Sequence, residues 1–193
     1  MIRSGRCRQA PVFSHPQLRI LQICHAEEFQ HFEVGILVLL SQYQSVLLDD
    51  FCQPDPAQLV ANTRTYLPWL WLLVAESAEP QETKKVYGLA CLSDIIPGRH
   101  AFVHGVSHPE IRRHPAIQTL GHLVLEVAFN ELKVRKVKAE IEADNAGAKG
   151  YCRRLGFVRE ACFKQDNRIA GQWQDVLVYS LFAEQFLASK NSP

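Results

Sequence analysis

Three sets of residues in this chain have types and spacings that can do chemistry. The first is Arg112-Arg113-His114, directly before Pro115 and an apolar-periodic run. A helix opening there points its orphan N–H groups at a cluster of positive charge, which suits an anion. Pro115 is well placed at the first helical position but removes one backbone donor. The second set is His104, Glu140 and Glu142. Imidazole and carboxylate are the side chains that take a proton near neutral pH. The ordinary alternative is a structural strand histidine and two solvated carboxylates. The third set is Asn145, Tyr151 and Cys152. Asn145 can cap a helix. Tyr151 carries a phenol that can exchange a proton, or simply pack with a wet hydroxyl. Cys152 reads as a small apolar residue.

His100, His104, His108 and His114 invite a metal reading. Two histidines four residues apart share an ion on a helix. On a strand, four residues span about 13 Å, too far for one ion. No metal site is expected.

The elements that must position these residues follow from periodicity. Leu18 to Cys24 reads as a short strand, and His25 to Phe51 as one or two helices. Asp55-Pro56 opens a helix that runs to about Tyr66, with Asp as cap and Pro in the first turn. Pro68 to Glu76, Lys85 to Leu92 and His100 to Val106 read as three strands joined by a loop over 78–83 and a turn at Pro97-Gly98. Pro115 to Leu132 is a long amphipathic helix, with Leu120, Leu123, Val124, Val127 and Ala128 on one face. In Val134 to Ala143, Val137, Ala139 and Ile141 alternate with charged residues, the period of a strand. Asn145 to Leu155 is a short helix stopped by Gly156. Phe157 to Phe163 and Trp173 to Phe182 are the last strands, separated by a polar loop. This order predicts an α/β (α+β) fold: a mixed, mostly antiparallel sheet with helices on both faces and one β-α-β crossover.

Composition bounds the function classes. The chain has 193 residues and a net charge of +1, so no global field attracts nucleic acid or an anionic membrane. Six cysteines at 7, 24, 52, 91, 152 and 162 never fall at C-x-x-C spacing, which excludes a zinc ribbon or thioredoxin-like motif. They read as reduced, which with the lack of a long N-terminal apolar run predicts a cytoplasmic protein. Residues 1–16 read as an irregular arm and 17–193 as one domain.

Two stretches resemble the GNAT N-acetyltransferases: VSHPEIRRHPAIQTLGHLVLEVAF (106–129) and DNAGAKGYCRRLGF (144–157), the second with its Asn eleven residues before the Gly of L-G-F. The tail NRIAGQWQDVLVYSL (167–181) is similar to the ribosomal-protein and small-amine branch. The resemblance implies an acyltransferase moving an acetyl group from acetyl-CoA to a primary amine, a protein N-terminus or a small amine, by direct attack. It implies that Arg112, Arg113, His114 and the main chain of Ala116 and Ile117 hold the pyrophosphate. Val106, Ser107 and His108 would run along the thioester, with Asn145 and Cys152 near the pantetheine. Pro115 and Ile117 depart from the family's Arg-x-x-Gly-x-Gly/Ala loop, and Cys152 stands where the family often has Tyr. His104, Glu140 and Tyr151 are the candidate catalytic residues. The expected partners are acetyl-CoA and an amine, with a homodimer as a candidate assembly and neither nucleic acid nor membrane. Two readings stand beside this one: a catalytically silent GNAT-like binding module, and transfer of a larger acyl group.

Overall fold

The computed structural model describes residues 18–42, 50, 55–75 and 85–190. Seven strands form one sheet: β1 (Leu18–Ile23), β2 (Leu70–Ala75), β3 (Val86–Ile96), β4 (His100–Ser107), β5 (Lys136–Glu142), β6 (Val158–Ile169) and β7 (Gln172–Phe182). Their spatial order is β1, β2, β3, β4, β5, β7, β6, and every pairing is antiparallel except that of β4 with β5.

Each face of the sheet carries its own apolar cluster. On one face, α1 (Ala26–Gln30), α2 (Glu33–Ser41) and α3 (Pro56–Arg64) cover Leu70, Leu72, Val74, Leu89 and Cys91. On the other, α4 (Pro115–Glu126) and α5 (Ala146–Arg154) cover Trp71, Leu73, Leu92, Ala101, Val137, Ala139 and Ile141. β2 therefore reads as a continuous apolar run, because alternate residues enter opposite cores. β5 buries only Val137, Ala139 and Ile141 and sends its charged residues to the α1–α3 face.

Local signals set the helices that frame the site. Asp55 accepts a hydrogen bond from Gln58 N at 2.8 Å and Pro56 occupies the first turn of α3. On α4, Ile117, Leu120, Val124 and Leu125 face the core. Burying a residue such as Val124 contributes about 2 kcal/mol. The helix then widens into a π turn over Val127–Glu131, where Leu132 N donates to Val127 O at 3.0 Å. Lys133, at φ 54°, ends it. α4 and its continuation thus make the β4-α4-β5 crossover over the span the periodicity marks out.

The structure corrects three expectations. The polar segment after Phe163 is not a loop: β6 runs to Ile169 and β7 starts at Gln172. Ala170 and Gly171 form a two-residue turn with φ of 49° and 77°, whose twist suits a hairpin. Asp50 braces it, accepting from Ala170 N at 2.9 Å and Gly171 N at 2.8 Å. β3 continues past Leu92 to Ile96 through a register shift between Ser93 and Ile96. A C-terminal helix, α6 (Ala183–Lys190), follows β7 and buries Phe186 against Phe129, with ring centroids 5.2 Å apart. The arm over 1–16, most of the segment over 43–54 and the loop over 78–83 lie outside the described residues.

Candidate active site

The ladder between β4 and β5 consists of three pairs: His100 with Lys136, Ala101 with Val137, Phe102 with Lys138. Beyond them the strands separate, although β4 stays paired with β3 as far as Ser107 and β5 with β7 as far as Glu142. The facing edges of β4 and β5 past Phe102 are therefore left without a strand partner among the described residues. Such an edge can pair with an extended ligand. Val106 and Ser107 lie on that length of β4. His108 follows, its N–H held by Tyr87 O at 2.7 Å.

Registered residues of a parallel pair share a face. Lys138 lies over the Phe102 ring with Nζ 4.9 Å from its centroid, on the α1–α3 face. Two residues further along each strand, His104 and Glu140 fall on that same face, one on each side of the opening. The sequence candidates His104 and Glu140 thus share a face, across the opening from each other. Glu142 lies one more step along β5 and accepts from Asn167 Nδ2 at 3.4 Å.

His104 is solvent-reached but not loose. Its Nε2 is 2.8 Å from Ser93 Oγ, and Ser93 Oγ donates to Asp94 Oδ2 at 2.9 Å. The Tyr66 ring lies 6.0 Å away. Desolvation in this cleft pushes the His104 pKa below its ordinary value, and the charge of Asp94 opposes that shift. Burial likewise raises the Tyr66 phenol. Sequence reading missed Tyr66, Ser93 and Asp94. Ser93 and Asp94 come to His104 through the β3 irregularity, and the Asp94 φ of 46° is the mark of it.

The basic loop behaves differently. His108 caps a short 3-10 turn over Pro109–Ile111, accepting from Glu110 N at 3.4 Å. His114 is the N-cap of α4: its Nδ1 accepts from Ala116 N at 3.1 Å and its carbonyl accepts from Ile117 N at 3.1 Å. The two main-chain donors expected at 116 and 117 are thus engaged by His114, and Pro115 has none. Arg112 and Arg113 are exposed beside them.

Asn145 caps α5, accepting from Ala148 N at 3.0 Å, and Gly156 ends that helix at φ 90°. Tyr151 sits between α5 and α4, with its hydroxyl donating to Ile117 O at 2.6 Å. Burial pushes its phenol up to about 12. Any side chain at Gly121 would collide with that hydroxyl and with Leu155. Tyr151 therefore ties α5 to the first turn of α4, in the core opposite the His104 face. Cys152 is buried in the same core, its thiol raised to about 11. Among the described residues no three His, Cys, Asp or Glu side chains come together to hold a metal, and no helix is long and apolar enough to cross a membrane.

No curated protein sequence matches the chain. Among solved structures, it is similar to ribosomal-protein-S5-alanine acetyltransferase from Vibrio fischeri, at 17% identity and TM-score 0.67, covering 90% of this chain and 97% of that one. It is also similar to a variant of spermidine N-acetyltransferase SpeG from Vibrio cholerae, at 21% identity and TM-score 0.64, covering 91% and 99%. A GNAT-family acetyltransferase from Bacillus anthracis matches at 12% identity and TM-score 0.64, covering 88% and 98%. At these identities the structures show the shared fold, and the first two are of the branch that the sequence resembles. The family model described as "Acetyltransferase (GNAT) family" matches residues 43–157, more than half of the 193 residues, so the chain belongs to the GNAT acetyltransferase family and falls in the N-acetyltransferase class expected from its sequence.

Proposed function

We propose that this chain acetylates a primary amine, of a protein N-terminus or a small molecule, using acetyl-CoA. The observation that carries the reading is the opening between β4 and β5, with His104 and Glu140 flanking it on one face. The pantetheine pairs with the free edge of β4 along Val106, Ser107 and His108, with Asn145 at the start of α5 on its far side and Cys152 in the core behind it. Arg112 and Arg113 supply charge for the pyrophosphate, and His114 with Ala116 and Ile117 forms the loop around it.

His104 takes a proton from the ammonium form of the acceptor. The freed nitrogen attacks the thioester carbonyl carbon, the new C–N bond forms and the C–S bond breaks. The nitrogen loses its second proton as the thiolate gains one, so the products are an amide and CoA thiol. Glu140 attracts the cationic acceptor before deprotonation. A lowered pKa keeps His104 neutral, hence competent as a base, below the ordinary histidine range. Tyr151 already donates to Ile117 O and is strongly raised, which supports a positioning role over that of acid. The free Cys24, Cys91, Cys152 and Cys162 support a cytoplasmic setting.

The test is release of CoA thiol from acetyl-CoA with a panel of amines, beside calorimetry of CoA. Turnover that falls by about 100-fold or more in His104→Ala, with CoA affinity retained, is the expected result. Unchanged turnover in that variant removes His104 from the mechanism.

One observation favours a second reading, the silent binding module: His114 consumes the N–H of Ala116 and Ile117, and Pro115 has none to offer. Folded wild-type protein that shows no affinity at millimolar CoA would establish that reading instead.

A further inference from the structure

The His104 side chain is held by a chain of two hydrogen bonds with a defined direction. A serine hydroxyl has one proton. Ser93 gives it to Asp94 Oδ2, at 2.9 Å, because a carboxylate only accepts. Ser93 Oγ, 2.8 Å from His104 Nε2, must then accept from that nitrogen. The neutral imidazole therefore carries its proton on Nε2, and Nδ1 holds the lone pair.

We propose that Ser93 and Asp94 are positioning residues for His104: the Asp94 carboxylate orients the Ser93 hydroxyl, which holds the imidazole with Nδ1 as the basic atom. This rests on the reading of His104 as the base. When Nδ1 accepts the acceptor's proton, the imidazolium keeps its Nε2–H on Ser93, and the positive charge is stabilised through the hydroxyl by Asp94. No atom other than that proton moves.

The backbone is shaped for this contact. Cys91 opposes His104 and Ser93 opposes Phe102 across the β3–β4 ladder, so Ser93 shares the face of His104 two pairs along. The register breaks directly after Ser93, and Asp94 takes φ 46°, where a non-glycine residue is strained. Asp and Asn tolerate that region better than other side chains. The break turns the Asp94 carboxylate back onto its neighbour's hydroxyl instead of leaving it along the strand.

Among the described residues, the groups facing His104 are few enough to separate. β3 supplies Cys91, Ser93 and Asp94, and the segment after α3 supplies Tyr66. β5 presents Lys138 and Glu140 on this face, and β4 itself presents His100 and Phe102. Desolvation, followed by Lys138, holds His100 low, and Asp94 acts against it, so His100 is the second group that an Asp94 variant perturbs.

Asp94→Asn is the informative substitution, since Asn keeps the left-handed backbone and the shape while removing the charge. Ser93→Ala breaks the chain, and Ser93→Thr restores the hydroxyl. In wild-type protein labelled with 15N-histidine, the His104 ring is expected as the Nε2–H tautomer, and Ser93→Ala is expected to lose that preference while Ser93→Thr keeps it. In turnover, Asp94→Asn is expected to move the acidic limb of kcat/KM down by roughly half a pH unit, with kcat reduced and CoA affinity unchanged. In a His104→Ala background the same substitution should have no further effect on turnover. A wild-type ring protonated on Nδ1, or a tautomer indifferent to Ser93→Ala, overturns the proposal whatever the activity. Activity that survives His104→Ala sinks the base reading itself. Activity lost in His104→Ala together with an unmoved acidic limb in Asp94→Asn leaves the base standing and removes the relay.

Discussion

The two flanks of the opening between β4 and β5 solve opposite problems. On the α1–α3 face, polar side chains reach solvent and hold one another through side-chain hydrogen bonds from Asp94 through Ser93 to His104. At the start of α4, the main-chain donors that could meet an anion are instead satisfied by the protein's own His114. In the first region the hydrogen bonds run between side chains, and in the second His114 satisfies the main chain. An anion at the α4 start would therefore meet mainly the exposed charges of Arg112 and Arg113, which act at longer range than an N–H.

The sharpest way to break this comparison is His104→Ala. Its expected loss of about 100-fold in kcat/KM, with CoA binding intact by calorimetry, would confine the damage to the first region. The second substitution strikes the frame behind the loop. Gly121→Ala forces a methyl group against the Tyr151 hydroxyl and Leu155, and should lower stability by about 1–3 kcal/mol in denaturant unfolding. An unshifted midpoint would mean that α4 and α5 separate freely. Arg112→Ala should weaken CoA by about 1–3 kcal/mol, the value of a charge-assisted contact, read by the same calorimetry.

Smaller effects sharpen the account of the loop. His114→Ala should cost about 1 kcal/mol of stability by loss of an N-cap, yet CoA affinity should not fall, because Ala116 N–H is released. Weaker CoA binding in that variant would show that the imidazole itself meets the phosphate. Pro115→Gly restores one donor and loosens the loop, two opposed terms of about 1 kcal/mol, so CoA affinity should change least of all.

Much of this molecule follows from sequence alone, because its signals are local. Alternation in Val137, Ala139 and Ile141, the Asp55-Pro56 start, the Asn145 cap and the Gly156 stop each act within a turn or a strand. The β-α-β order and the long helix from Pro115 are legible for the same reason. Those signals put the basic loop at a helix start, and the family resemblance singled out His104, Glu140 and Tyr151 as residues with useful chemistry. They could not say which of the three share a face. That was decided by the β4–β5 register, which sets His104 and Glu140 on one face, and by the close approach of α4 and α5 at Gly121, which commits Tyr151 to Ile117 O. The β3 irregularity that brings Ser93 and Asp94 to His104 has no residue signature of its own, since Ser-Asp in a strand reads as ordinary exposed sequence. The engagement of Ala116 N–H by His114 was likewise invisible, because a side chain's choice of hydrogen-bond partner depends on coordinates that composition and spacing do not carry.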